Sequence, residues 1–181
     1  SEVLKAIECG FNQRNIAFAG VGKTDKEIEI GLDNDIFSFN VESIPELYAI
    51  NNLAKEKNKV AKIALRINPN IDAQTHSYIT TGLNENKFGI EEDNIPVVLQ
   101  LLPSLKSLSL TGLHLHIGSQ ITELSSFKNL CDKINDLQVY FESKSIKLMH
   151  INVGGGLGVD YENPDINPIA DFYNYFKLFS S

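Results

Sequence analysis

Two hydrophobic periods alternate along the chain. In "FSFNVE", Phe37, Phe39 and Val41 oppose Ser38, Asn40 and Glu42 across an extended backbone. In "IALRIN", Ile63, Leu65 and Ile67 oppose Arg66 and Asn68, and in "GLHLHI", Leu113, Leu115 and Ile117 oppose Gly112, His114 and His116. In "MHINV", Met149, Ile151 and Val153 oppose His150 and Asn152. A period of two is that of a strand. With "NIAFAG" these stretches predict strands within residues 15–20, 35–43, 62–70, 108–119 and 148–158. Between them the apolar spacing lengthens to three and four, predicting helices over residues 1–11, 24–32, 44–57, 93–102 and 124–145. The first helix carries a stripe of Val3, Leu4, Ile7 and Phe11. Thr24 with Glu27, and Ser43 with Glu46, stand at capping-box spacing.

Strands and helices that alternate predict a parallel α/β sheet. The strands then choose between architectures. Each is apolar on one face and polar on the other toward its C-terminal end. A doubly wound sheet covers both faces with helices and favours continuous apolar strands. A (β/α)8 barrel puts helices outside and its chemistry at the C-terminal mouth of the interior. The expected fold is therefore α/β, a partial (β/α)8 TIM barrel with about five of the eight strands. The chain opens on Ser1 inside a helix, without a Met or a lead-in strand, and so reads as a piece of something longer.

Composition narrows the partners. Hydrophobic residues make up 43% and charged residues 22%, a globular balance. Sixteen basic residues against 23 acidic ones give a net charge of −7, which argues against a nucleic-acid surface. Cys9 and Cys131 have no ligand-like spacing and read as reduced thiols of a cytoplasmic protein. No apolar run reaches the length of a membrane span.

"AFAGVGKT" (residues 17–24) fits the loose form of a P-loop, with Lys23 as its phosphate ligand. Ala17 and Phe18 belong to the strand, however, and "GVG" is too short a loop to wrap phosphates. Thr24 has a competing role as helix cap. Lys23 is instead expected near the mouth of the barrel.

Other residues carry stronger chemistry. "NVGGGLG" exposes backbone N–H groups after a late strand, which suits a phosphate. In "HLHIGSQ", His116 is placed to touch a ligand, His114 lies deeper as a structural residue, and Ser119 can donate to a phosphate oxygen. Arg66 on an inward face needs an anion, either a ligand or Glu42. His76, Tyr78, Thr80 and Thr81 occupy a long polar loop with the length of a binding element.

"RINPNIDAQTHSYITTGLNENKFGI", "GLHLHIGSQI" and "NVGGGLGVDY" together resemble the diaminopimelate decarboxylase family, pyridoxal-phosphate enzymes with an alanine-racemase-like barrel. The resemblance runs from "ECGF" and "GVGKTDKEIE" to "NPDINPIADF". His-x-Gly-Ser and Gly-Gly-Gly are shared with ornithine and arginine decarboxylases; the "THSYITTG" loop points to diaminopimelate. The resemblance implies that residues 1–181 are part of the pyridoxal-phosphate-binding barrel, without its first strands and the C-terminal β-domain. It implies that His116 stacks on the cofactor ring, that Ser119, Gly154, Gly155 and Gly156 hold its phosphate, and that Arg66 lies near its 3′-oxygen. The Schiff-base lysine is expected upstream of Ser1, so no catalytic residue and no metal ligand is assigned here, and the chain alone is expected to be inactive. The implied reaction is decarboxylation of meso-2,6-diaminopimelate to L-lysine, the last step of lysine biosynthesis, by a cytoplasmic homodimer without nucleic-acid or membrane partners. The alternatives are a decarboxylase of arginine or ornithine, and a metal-dependent barrel hydrolase using His114 and His116 with His76 or His150.

Overall fold

The computed structural model describes residues 1–71, 88–166 and 169–180. Among them are strands β1 (Ala17–Phe18), β2 (Ser38–Val41), β3 (Ala61–Asn68), β4 (Ile90–Glu91), β5 (Leu108–Leu115) and β6 (His150–Asn152). The helices are α1 (Glu2–Glu8), α2 (Asp25–Asp33), α3 (Ile44–Glu56), α4 (Ile95–Leu101), α5 (Leu124–Ser143) and α6 (Phe172–Phe179). The chain divides into two compact units. One takes Ser1–Ile67, Phe88–His114 and Leu148–Asn152; the other takes Asn68–Lys87, Leu115–Lys147 and Val153–Ser181.

The first unit is built on the sheet. Its order is β1-β2-β3-β5-β6, with β4 added to β3. The β1/β2, β2/β3 and β5/β6 ladders are parallel. Every strand on that path lies beside its predecessor, with no reversal of order. A doubly wound sheet reverses at a switch point, so this is the strand order of a barrel wall. Phe39 pairs with Ile63 and Val41 with Leu65, which puts the apolar faces of β2 and β3 in line. All four residues are buried. The polar face is closed off as well: Ser38 and Asn40 are fully buried, and Glu42, Thr111 and His114 nearly so.

Two helices start at caps that the sequence announces. Thr24 accepts the Glu27 N–H and the Glu27 carboxylate accepts the Thr24 N–H, a complete capping box at the start of α2. Those hydrogen bonds hold the Glu27 carboxyl below its ordinary range. Gly31 of α2 lies against β2, since a Cβ there would stand 2.6 Å from the Phe39 ring. The second expected box is half formed. Ser43 accepts the Glu46 N–H, but the Glu46 carboxylate takes the Glu42 N–H instead of that of its own cap. Pro45 follows in the first turn of α3, where a missing N–H costs nothing.

In the second unit Phe127, Leu130, Ile134, Leu137 and Phe141 form the buried stripe of α5. Phe127 meets Tyr175 of α6 edge-on, ring centroids 4.9 Å apart. Helix α6 is not among the sequence expectations; Asp171 caps it by accepting the Asn174 N–H.

Three other expectations change. Helix α1 stops at Glu8, and Gly10 turns the chain at φ +89°, so Phe11 leaves the stripe and is exposed. Met149, expected on an apolar strand face, precedes β6 and is exposed. Strands β1 and β6 are shorter than the patterns that announced them.

At the start of β6, His150 packs its ring on Phe37, centroids 4.6 Å apart, and over Gly112, its partner in the ladder. Both its ring nitrogens are buried without a hydrogen bond among the described residues. Desolvation pushes its pKa below the ordinary 6.5. The folded protein therefore resists binding a proton that the unfolded chain accepts, so this contribution is present above about 6.5 and is lost as pH falls below it. Urea midpoints at pH 7.5 and 5.5 should show a smaller acid loss for His150→Leu than for the unsubstituted protein. An equal loss in both would remove His150 as a source of acid sensitivity.

Candidate functional site

The loop between β1 and α2, with the P-loop spelling, is filled from within. Lys23 reaches back beneath it and is 1% exposed. Its ammonium donates to the Gly20 carbonyl (2.7 Å), the Asn40 carbonyl (2.8 Å) and the Glu46 carboxylate (2.7 Å). Three donors and three acceptors leave it no proton for a phosphate. Lys23 therefore does not present its charge at the mouth as the sequence suggested; it is a buried tie between the exits of β1 and β2. Glu42 makes the next tie. One carboxylate oxygen accepts the Gly20 N–H (3.0 Å) and the other accepts Arg66 (2.6 Å). The Arg66 guanidinium carbon stands over the Phe88 ring, 5.6 Å from its centroid. Of the two anions considered for Arg66, Glu42 is the one in place.

The second unit holds His116, Ser119, Gly154, Gly155 and Gly156. Two loops are joined there, the one that follows β5 and the one that follows β6. Ile121 pairs with Leu157 in a parallel bridge, donating to the Gly156 carbonyl and accepting from Gly158, both at 2.9 Å. The Gln120 side chain extends the joint by bonding both the carbonyl and the N–H of Val159. The glycine turn then lies flat on the β5 exit. A Cβ on Gly154 would stand 2.6 Å from the Leu115 carbonyl and 2.7 Å from Nδ1 of His116. A Cβ on Gly156 would strike the Gly118 carbonyl. A Cβ on Gly155 would meet nothing within 4 Å, so that side of the turn is open.

All three glycines have φ between +81° and +115°. The backbone alone thus demands each of them, and their number is explained without a ligand. The Gly155 N–H is taken by the Val153 carbonyl at 3.0 Å, whereas the Gly156 N–H has no acceptor among the described residues. Ser119 is exposed one residue beyond Gly118, and His116 is half-buried. The arrangement offers an imidazole, a hydroxyl and a backbone N–H around an open turn. That donor set suits a flat anionic group such as pyridoxal phosphate.

The site expectations thus fall in two places: Arg66 in the first unit, and His116, Ser119 and the glycines in the second. His76, Tyr78, Thr80 and Thr81 lie outside the described residues. His114 is 5% exposed. Among the described residues no three His, Cys, Asp or Glu side chains gather as a metal site. Glu46 and Gln120 escaped sequence reasoning. Glu46 read as a helix cap, and nothing local announces that Gln120 adopts φ +59°.

Comparison with known proteins adds the following. The family model of the pyridoxal-dependent decarboxylases, pyridoxal-binding domain, matches residues 1–177. The diaminopimelate decarboxylase of Bacteroides thetaiotaomicron is 49% identical over 99% of this chain and 46% of its own length. The crystal structure of diaminopimelate decarboxylase from Helicobacter pylori complexed with L-lysine superposes with a TM-score of 0.88 at 37% identity, over 99% of this chain and 45% of that one. An alanine racemase of Clostridium difficile, 17% identical, shares the fold with a TM-score of 0.57 over 83% of this chain and 35% of its own. The fold is thus a partial (β/α)8 barrel of the alanine-racemase-like type, and the chain spans about half the length of the curated relatives it matches.

Two substitution series check this geometry in the whole protein. Gly155→Ala should lose about 1–3 kcal/mol from its positive φ alone. Gly154→Ala and Gly156→Ala should lose more, because each also drives a methyl group into a backbone carbonyl. Urea denaturation ranks them; equal losses would contradict the close approach. Lys23→Met should cost about 3–5 kcal/mol by leaving Glu46 without its cation. Adding Glu46→Gln should recover part of that loss.

Proposed function

Since the chain belongs to the pyridoxal-dependent decarboxylases, we propose that the whole protein decarboxylates meso-diaminopimelate to L-lysine. The observation that carries this reading is the 49% identity to a diaminopimelate decarboxylase across 99% of the chain. The related structure complexed with L-lysine supports it from the side of the product.

Pyridoxal phosphate, when bound, supplies the electron sink that accepts the electron pair left behind as CO2 departs. The residues of this chain bind and orient it. His116, braced at Gly154, offers its ring to one face of the cofactor and leaves the other for substrate. Ser119 and the Gly156 N–H donate to the phosphate, and Gly155 keeps the approach open. Arg66 donates toward the 3′-oxygen. These residues act as binding and orienting groups. Residues 1–181 are then part of the cofactor-binding barrel of a larger homodimeric enzyme. The free thiols Cys9 and Cys131 are in keeping with the reducing cytoplasm.

The test uses the whole protein with meso-diaminopimelate, arginine and ornithine, following CO2 release and amine product. L-Lysine should form from diaminopimelate far faster than either amine forms from its acid. Faster turnover of arginine or ornithine would transfer the protein to the sister activity. Cofactor binding without release of CO2 from any of the three would overturn the reading. His116→Ala should weaken the cofactor about five- to tenfold, the scale of one lost ring contact. An unchanged affinity would remove His116 from the site.

A further inference from the structure

We propose that Glu42 is a positioning residue for Arg66: it fixes the guanidinium that faces the cofactor and cancels its charge there. This rests on the functional reading above, which places Arg66 beside the 3′-oxygen. The geometry comes from the first unit alone. Glu42 and Arg66 side chains are 4% and 13% exposed, and their 2.6 Å contact is a charge-assisted hydrogen bond. Glu42 is itself held at both ends. Its second carboxylate oxygen accepts the Gly20 N–H, and its backbone N–H is held by Glu46 at 2.8 Å. Glu46 is in turn pinned by Lys23.

The guanidinium carbon also stands over the Phe88 ring. A planar fork with one arm bonded and an aromatic ring beside it is restrained. Its other N–H groups have no partner among the described residues and are presented in a set direction. The charged groups linked to it are Glu42 directly and, at one remove, Glu46 and Lys23. Two cations and two carboxylates sum to zero. Arg66 therefore serves as an oriented hydrogen-bond donor with little net attraction for an anion. The phosphate is left to the glycine turn.

Removing the Glu42 charge should expose that of Arg66 to the cofactor, favouring its deprotonated form. In the whole protein, Glu42→Gln should lower the pH midpoint of the bound cofactor's visible absorbance by about one unit. Glu42→Asp keeps the charge and should stay near the original midpoint. Arg66→Met alone leaves the Glu42 charge uncancelled and should raise the midpoint, and adding Glu42→Gln should bring it back toward the original value. The neutral pair Lys23→Met with Glu46→Gln should lower the urea midpoint yet leave the absorbance midpoint in place. A merely structural Glu42 would behave like that pair. A folded Glu42→Gln protein with an unchanged midpoint overturns the proposal, as does an Arg66→Met midpoint that adding Glu42→Gln fails to bring back. If Glu42→Gln alone does not fold, Arg66→Met against the double variant Arg66→Met, Glu42→Gln still decides: equal midpoints overturn the proposal. Absence of any visible cofactor band in the unsubstituted protein would instead sink the functional reading.

Discussion

Four charged side chains taken out of water at the exits of the first three sheet strands constrain the rest of that unit. Charges so deeply buried persist when each meets an opposite charge in good geometry. Lys23 meets this condition with three acceptors, and Glu42 and Glu46 each use both carboxylate oxygens. The consequence is geometric. The β1 loop cannot lift off, the turn into α3 cannot slide, and Arg66 is held at an orientation that its own flexible stem would never select. Replacing the cluster with apolar residues of equal volume could well keep the fold; it would discard the orientation.

A second constraint, steric rather than electrostatic, shapes the other unit. Positive φ at three successive residues lets the backbone after β6 lie in contact with the end of β5, where any side chain would collide. The Ile121–Leu157 bridge and the two Gln120 bonds hold the loops together. His116 is thereby packed against the backbone of Gly154. A ring supported in that way can offer a face to a planar ligand with little loss of rotamer freedom on binding. Glycine here serves packing first, and the opening beside Gly155 follows from it.

The P-loop spelling shows how one set of letters admits two chemistries. A true P-loop needs a run of N–H groups aimed at an external anion. Here the lysine is turned inward, and the anion it finds, Glu46, is supplied by the protein itself. The Gly20 N–H finds Glu42 in the same way. The motif's donors are therefore spent on the fold, and Thr24 is spent on the helix cap.

Much of this protein can be read locally. The period-two and period-3.6 patterns identify the principal strands and helices, and the alternation of polar and apolar faces identifies a barrel wall. Thr24 and Glu27 announce their capping box because both partners lie within one turn. The glycines announce a turn at positive φ because that backbone requirement is local as well. What lay beyond the sequence depends on residues brought together across long separations. Whether Arg66 would meet Glu42 or a ligand, and whether Lys23 would face out or in, were decided by the parallel register of β1, β2 and β3. That register places positions more than twenty residues apart within 3 Å. Sequence spacing specifies which side of a strand a charge occupies; only the packed sheet specifies which charge stands opposite, since a buried ion must take whatever partner the fold delivers.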